Sequence, residues 1–170
     1  MKKTIQKTSE WIFCFIPVMT VLLSIFIGAI PFQLSQISLL MPLASYITIY
    51  FWSVYRPQSL PYFALLLLGL FKDVIESNVL GFNPLAFLLF QAMVKSQSKY
   101  IVNKAFIVVW AGFVFCLAVI LFLPLLSIKV NAEVHIYPFN IILSQWLITI
   151  FVYVPIHYLL DKLNNLRSKI

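Results

Sequence analysis

The stretch from Tyr62 to Leu85, YFALLLLGLFKDVIESNVLGFNPL, is apolar enough to enter a membrane and yet carries three charges, Lys72, Asp73 and Glu76. On helical spacing Gly69, Lys72, Asp73, Glu76, Ser77 and Leu80 share one face, small and polar, while the rest of the circumference is mainly Leu, Phe, Val and Ala. A Lys or Asp at the centre of a membrane helix costs about 2.5 to 3.5 kcal/mol to insert, and each Leu or Phe returns only about 0.3 to 0.6 kcal/mol. The apolar residues of one helix cannot offset three bare charges, so the stripe must be paired or packed against polar groups of other helices. Lys72 and Glu76 stand four residues apart and can pair. Asp73 then needs shelter from elsewhere in the chain, which marks an assembly seam or a transport path.

The whole chain argues the same way. With 62% hydrophobic and 10% charged residues in 170, it holds more apolar material than a soluble domain of that length can bury. The expectation is an all-α integral membrane protein, a six-helix bundle forming a single membrane domain over residues 1–170, with no internal repeat. The net charge of +7 is scattered among the apolar runs and forms no stripe interleaved with aromatics. It is read as topology, with anionic lipid headgroups and not nucleic acid as its partner. Cys14 and Cys116 lie inside apolar runs and act as small hydrophobes, so no disulfide or metal framework is expected. Lys2, Lys3 and Lys7 before an apolar run imitate a signal peptide. That run is too long and lacks an Ala-x-Ala cleavage pattern, so it is expected to stay attached as the first span.

The spans are expected at about 11–30, 37–52, 62–76, 85–94, 105–123 and 137–160. Pro31 and Pro124 should close the first and fifth, and Asn78, Gly81, Asn83 and Pro84 should form the turn between the third and fourth. The link SVYRPQSLP makes a stiff corner at headgroup level, with Arg56 between two aromatics and two prolines, and the tail DKLNNLRSKI should be solvated. Six spans put both termini on one side. If that side is the cytoplasm, it holds Lys2, Lys3, Lys7, Arg56, Lys95, Lys99, Lys104, Lys162, Arg167 and Lys169, against Lys129 alone outside. Lys95, Lys99 and Lys104 are expected as a basic cytoplasmic loop. Asn140, Ser144 and Gln145 in the outer half of the sixth span reach a depth similar to Asp73, and a hydrogen bond from this patch to Asp73 or Glu76 is expected.

Enzyme signatures are missing from the sequence: no Gly-x-Ser-x-Gly elbow, no His-Glu-x-x-His and no phosphate loop. His135 and His157 fall on opposite sides of the bilayer and cannot share a metal. No cofactor is expected.

Tyr55-Arg56-Pro57-Gln58 with Pro61, then Gly69-x-x-x-Asp73, then Leu80-Gly81 and Leu85, resembles the rod shape-determining protein MreD family. The motif likeness covers about residues 52 to 90, and length, six apolar runs and a basic inner face are similar elsewhere. The resemblance implies a non-enzymatic bacterial inner-membrane subunit of the cell-elongation machinery. Such a subunit binds the bitopic partner MreC and through it joins the actin-like filament MreB to the wall synthase RodA and its class B penicillin-binding protein. Carried over residue by residue, the family pattern picks out Arg56, Pro57, Gly69, Asp73, Leu80 and Gly81. Ser77, where the family often has Gly, and Lys72 beside the Asp depart from it. The family also looks similar in fold to the substrate-binding subunits of energy-coupling-factor vitamin transporters, so the rival reading is a solute-binding membrane subunit using the same stripe as a ligand wall. Against the rival, the first span lacks an Ala-x-x-x-Ala-x-x-x-Ala face.

Overall fold

The computed structural model describes the backbone over residues 2–29, 43–76, 80–101, 104–127 and 139–167, and side chains over 15–29, 43–76, 80–100, 104–121 and 143–164. Within these residues there are six α-helices and no strand: α1 (Lys2–Ala29), α2 (Ala44–Tyr55), α3 (Tyr62–Glu76), α4 (Phe82–Ile101), α5 (Phe106–Ser127) and α6 (Phe139–Arg167).

The centre is α2. Every residue from Ser45 to Val54 is buried, because α1, α4, α5 and α6 all pack on this helix. Further contacts join α3 to α1 and α4, and α5 to α4 and α6. Cross-helix pairs give the directions. Ser24 with Thr48 (3.1 Å) and Thr20 with Trp52 (2.8 Å) set α1 antiparallel to α2. Leu43 with Thr149 (3.1 Å) and Arg56 with Asn164 (3.0 Å) set α6 parallel to it. Residues 56–61 between α2 and α3, and 102–105 between α4 and α5, are short links of the kind that join antiparallel neighbours.

Local chemistry explains the helix ends. Leu43 offers no side-chain cap to α2, and the Thr149 hydroxyl on α6 accepts its backbone N–H instead. The helix stops where the Arg56 N–H closes back on Trp52 O at 2.8 Å ahead of Pro57. Pro61 then precedes α3 and its carbonyl accepts the Leu65 N–H. Gln91 reaches from α4 to donate to Leu60 O at 2.7 Å, tying that corner down.

Rings fill the middle. Tyr46 meets Phe87 and Phe90 edge-on, each at 5.2 Å, and Tyr50 meets Phe113 at 5.2 Å while its hydroxyl donates to Val109 O at 2.7 Å. Such pairs contribute about 0.5 to 1.5 kcal/mol each beyond buried area. The exterior is inverted relative to a soluble protein, since large apolar side chains such as Phe15, Phe63, Val74, Ile107, Phe115 and Phe151 point outward. One helix among the described residues, Leu143–Asn164, is long and apolar enough by itself to cross a membrane; Phe15–Ala29 and Phe106–Leu121 are shorter apolar helices.

Several sequence-based boundaries change. The fourth helix was expected to end at Val94 but runs to Ile101, so Lys95 and Lys99 sit on helix, and of the expected basic loop only Lys104 lies in a connection. Hydropathy falls at the first lysine, whereas lysine itself is a good helix former. Asn83 and Pro84 belong to the first turn of α4 and not to the turn before it, since a proline costs no hydrogen bond there. Pro124 does not close α5, which continues to Ser127, and the charged tail is helical to Arg167. Pro31, Asn78, Lys129 and His135 lie outside the described residues, as does the side chain of Cys14. Cys116 is buried and reduced.

Candidate functional site

The charged stripe of α3 meets the start of α4. Asp73, fully buried, accepts the Gly81 N–H on Oδ2 at 2.7 Å, and on Oδ1 both the Asn83 N–H at 3.2 Å and Asn83 Nδ2 at 2.7 Å. A side chain from one helix thus caps the next. The first N–H groups of α4 have no intrahelical acceptor and carry the positive end of its dipole, so a carboxylate there is satisfied in both hydrogen bonding and charge. Gly81 has φ of +100°, a conformation that costs an L residue energy, and it turns its N–H onto Asp73.

Lys72 completes the network. Its Nζ donates to Asn83 Oδ1 at 3.0 Å and lies 3.2 Å from Glu76 Oε2, with the Tyr46 and Phe87 rings 6.0 and 5.8 Å away. The ammonium is buried, while the Glu76 side chain is 31% exposed. Glu76, Lys72, Asn83, Asp73 and the α4 terminus therefore form one continuous chain of charge-assisted bonds. Gly69, one turn earlier, makes the approach possible: a Cβ there would lie 2.5 Å from Pro84 Cα.

Beside this network, Ser24, Gly28, Ala44, Ser45, Lys72, Glu76 and Gln145 line a cleft of about 50 Å³ between α1, α2, α3 and α6. That is room for a water molecule or two.

The structure divides the residues singled out from sequence. Gly69, Lys72, Asp73, Glu76 and Gly81 come together with Asn83. Leu80 is exposed beside them at the hairpin turn. Gln145 shares the cleft with Lys72 and Glu76, and Ser144 is half-buried on the neighbouring position of α6. The side chain of Asn140 lies outside the described residues. Of the bond expected from Asn140, Ser144 and Gln145 to Asp73 or Glu76, the Asp73 alternative gives way to the cap on α4, because both Asp73 oxygens are aimed at the nearer N–H groups of the hairpin, while Glu76 lines the same cleft as Gln145. Arg56 and exposed Pro57 stand at the opposite end of α3, where Arg56 donates to Asn164. At that same end Lys95 Nζ lies 4.1 Å over the Tyr62 ring, and Lys99 and Lys104 are exposed. Sequence reasoning treated Asn83 only as a turn former. Its place ahead of Pro84, with an acid on the previous helix and no Ser, Thr or Asp of its own at the cap, was the available signal.

A family model described as rod shape-determining protein MreD matches residues 8–163. The chain belongs to the MreD family. The family is membrane-associated and structural, with a role in determining rod shape. An uncharacterized protein of Rickettsia prowazekii (strain Madrid E) is 37% identical over 114 residues, a match covering 66% of this chain and 63% of that relative. No solved structure matches.

Proposed function

We propose that this chain is a six-span, non-enzymatic subunit of the bacterial inner membrane, one membrane unit with both termini in the cytoplasm. Its task in rod growth is docking: it holds MreC, and through MreC links the MreB filament to RodA and its class B penicillin-binding protein. The observation that carries the reading is the chain of bonds from partly exposed Glu76 into buried Lys72, Asn83 and Asp73, which locks α3 against α4 while leaving apolar flanks such as Val74 and Leu85 uncovered. A rigid hairpin with apolar flanks suits a partner's transmembrane helix, since helix association in lipid rests on shape and polar fixing points.

Membrane insertion is supported by the apolar exterior and by the cations. Among the described side chains, Arg56, Lys95, Lys99, Lys104 and Lys162 belong to one end of the bundle and Lys72 alone to the other. Solute capture, the rival reading, would use the cleft beside Lys72 and Glu76, which holds about 50 Å³.

The test is depletion followed by microscopy, with affinity purification of the tagged chain from membranes. Rounded cells and MreC in the eluate are expected. Normal rods with impaired uptake of a vitamin would reverse the reading.

A further inference from the structure

Hydroxyls buried on these helices commonly turn back onto their own backbone. Ser24 donates to Val21 O, Thr48 to Ser45 O, Ser98 to Lys95 O and Thr149 to Gln145 O. Ser53 on α2 departs from that habit. It is 0% exposed, and its Oγ has no hydrogen-bond partner among the described residues. The same is true of Oε1 of Gln91 on α4, a side chain that is also fully buried. The Gln91 amide cannot be turned over to relieve this, because its Nε2 donates to Leu60 O at 2.7 Å and a carbonyl can only accept.

Helical spacing brings both groups into one seam. Tyr46 and Tyr50 of α2 meet Phe87 and Phe90 of α4, and Ser53 follows Tyr46 by seven residues, which places it about 20° away around the helix. Gln91 follows Phe87 by four residues, about 40° away on its own helix. Their heights agree as well. Counted from the Tyr50–Phe90 contact toward the 56–61 corner, Ser53 is about 4.5 Å along and Gln91 about 1.5 Å, and the Gln91 side chain reaches further the same way to Leu60. A hydroxyl able to donate therefore shares the seam with an amide oxygen able only to accept, and the two make no direct bond. Complementary atoms so placed, with burial denying them bulk solvent, call for a small molecule between them.

We infer that one water molecule is held in the α2–α4 seam, accepting from the Ser53 hydroxyl and donating to Gln91 Oε1. Such a bridge spans about 5 Å between the two oxygens, and a buried water is held by about two to four polar partners. Through the Gln91 amide the water is joined to Leu60 O, so α2, α4 and the corner that carries Arg56 and Pro57 share one polar node. The node lies inside the bundle and is independent of what docks outside it.

The test uses the full chain in dioleoyl phosphatidylcholine vesicles, with carbon-13 in the glutamine side-chain carbonyls and the phenylalanine rings. Solid-state NMR then follows magnetisation passed from water protons to these carbons, with Gln91→Met and Phe90→Leu assigning the two signals compared. Water should reach the Gln91 carbonyl at least about threefold faster than the equally buried Phe90 ring beside it, and Ser53→Ala should remove the advantage. In unfolding by dodecyl sulfate from mixed micelles, Ser53→Ala and Gln91→Met should couple by at least about fivefold in the equilibrium constant, since the donor lost to Leu60 O cancels in the cycle. Transfer to Gln91 no faster than to Phe90 would overturn the water; if Ser53→Ala still moved the Gln91 carbonyl signal, a direct bond would take its place. Fast transfer that survives Ser53→Ala, or additive effects of the two substitutions, would overturn the bridge.

Discussion

Replacing Asp73 by alanine is the most direct probe of the α3–α4 hairpin. The carboxylate accepts three hydrogen bonds, from the Gly81 N–H, the Asn83 N–H and Asn83 Nδ2. Bonds to a charged group contribute about 1.5 to 3 kcal/mol each, but they are not additive, and water can take over at exposed Gly81. Asn83 has no such relief, being 4% exposed. Stranding its two donors at about 1 to 3 kcal/mol each, together with removing the anion near Lys72, gives a loss of about 3 to 5 kcal/mol. Asp73→Asn keeps one acceptor and the shape, and gives up the charge facing the α4 terminus, for about 1 to 2 kcal/mol. Unfolding in mixed micelles with added dodecyl sulfate, followed by tryptophan fluorescence, reads these differences. A double-mutant cycle then identifies the partner: Asp73→Ala and Asn83→Ala should couple by more than about 1 kcal/mol, and Asp73→Ala and Gln145→Ala should add. Additivity with Asn83, or a loss under about 1 kcal/mol for Asp73→Ala, would refute the cap.

The other perturbations use the same unfolding assay. Gly69→Ala should lose about 1 to 3 kcal/mol, because the new Cβ would sit 2.5 Å from backbone Pro84 Cα and 2.6 Å from Pro84 N, neither of which can swing aside; an unchanged midpoint would contradict the close approach. Lys72→Met should cost about 2 to 3 kcal/mol by leaving Asn83 Oδ1 without its donor, whereas Glu76→Gln, at the wetter end, should cost no more than about 1 kcal/mol. Equal effects would mean that the network is not graded from buried to exposed. Thr149→Val should lose about 1 kcal/mol by stranding the Leu43 N–H at the start of α2, and Thr149→Ser should restore it.

Much of α3 was legible in advance. Its bounds, Tyr62 to Glu76, agree with the apolar run between Pro61 and the polar turn, and its helical spacing put Gly69, Lys72 and Asp73 on one face, which is buried. What that face packs against was not legible. Periodicity says which side of a helix is covered and nothing about the cover, so depth alone suggested α6 when the acceptor of the α4 N–H groups was needed only eight residues on, at Gly81. What needs the gap at Gly69 was not legible for the same reason: the surface that approaches it is Pro84, on another helix. Helix ends near charge were misjudged because hydropathy marks where lipid stops and hydrogen bonding marks where helix stops; the two part company between Lys95 and Ile101.

The placement of α2 bears on biogenesis. It is twelve residues long, about 18 Å, and carries Ser45, Thr48 and Ser53 among its buried positions. A translocon offered this segment alone would have little reason to release it sideways. On the membrane-spanning reading proposed above, pairing with α1 lets it enter with the Thr48 hydroxyl and the Trp52 indole already matched by Ser24 and Thr20. Its final surroundings arrive only with α4, α5 and α6, so the innermost helix waits longest for its full set of neighbours during synthesis.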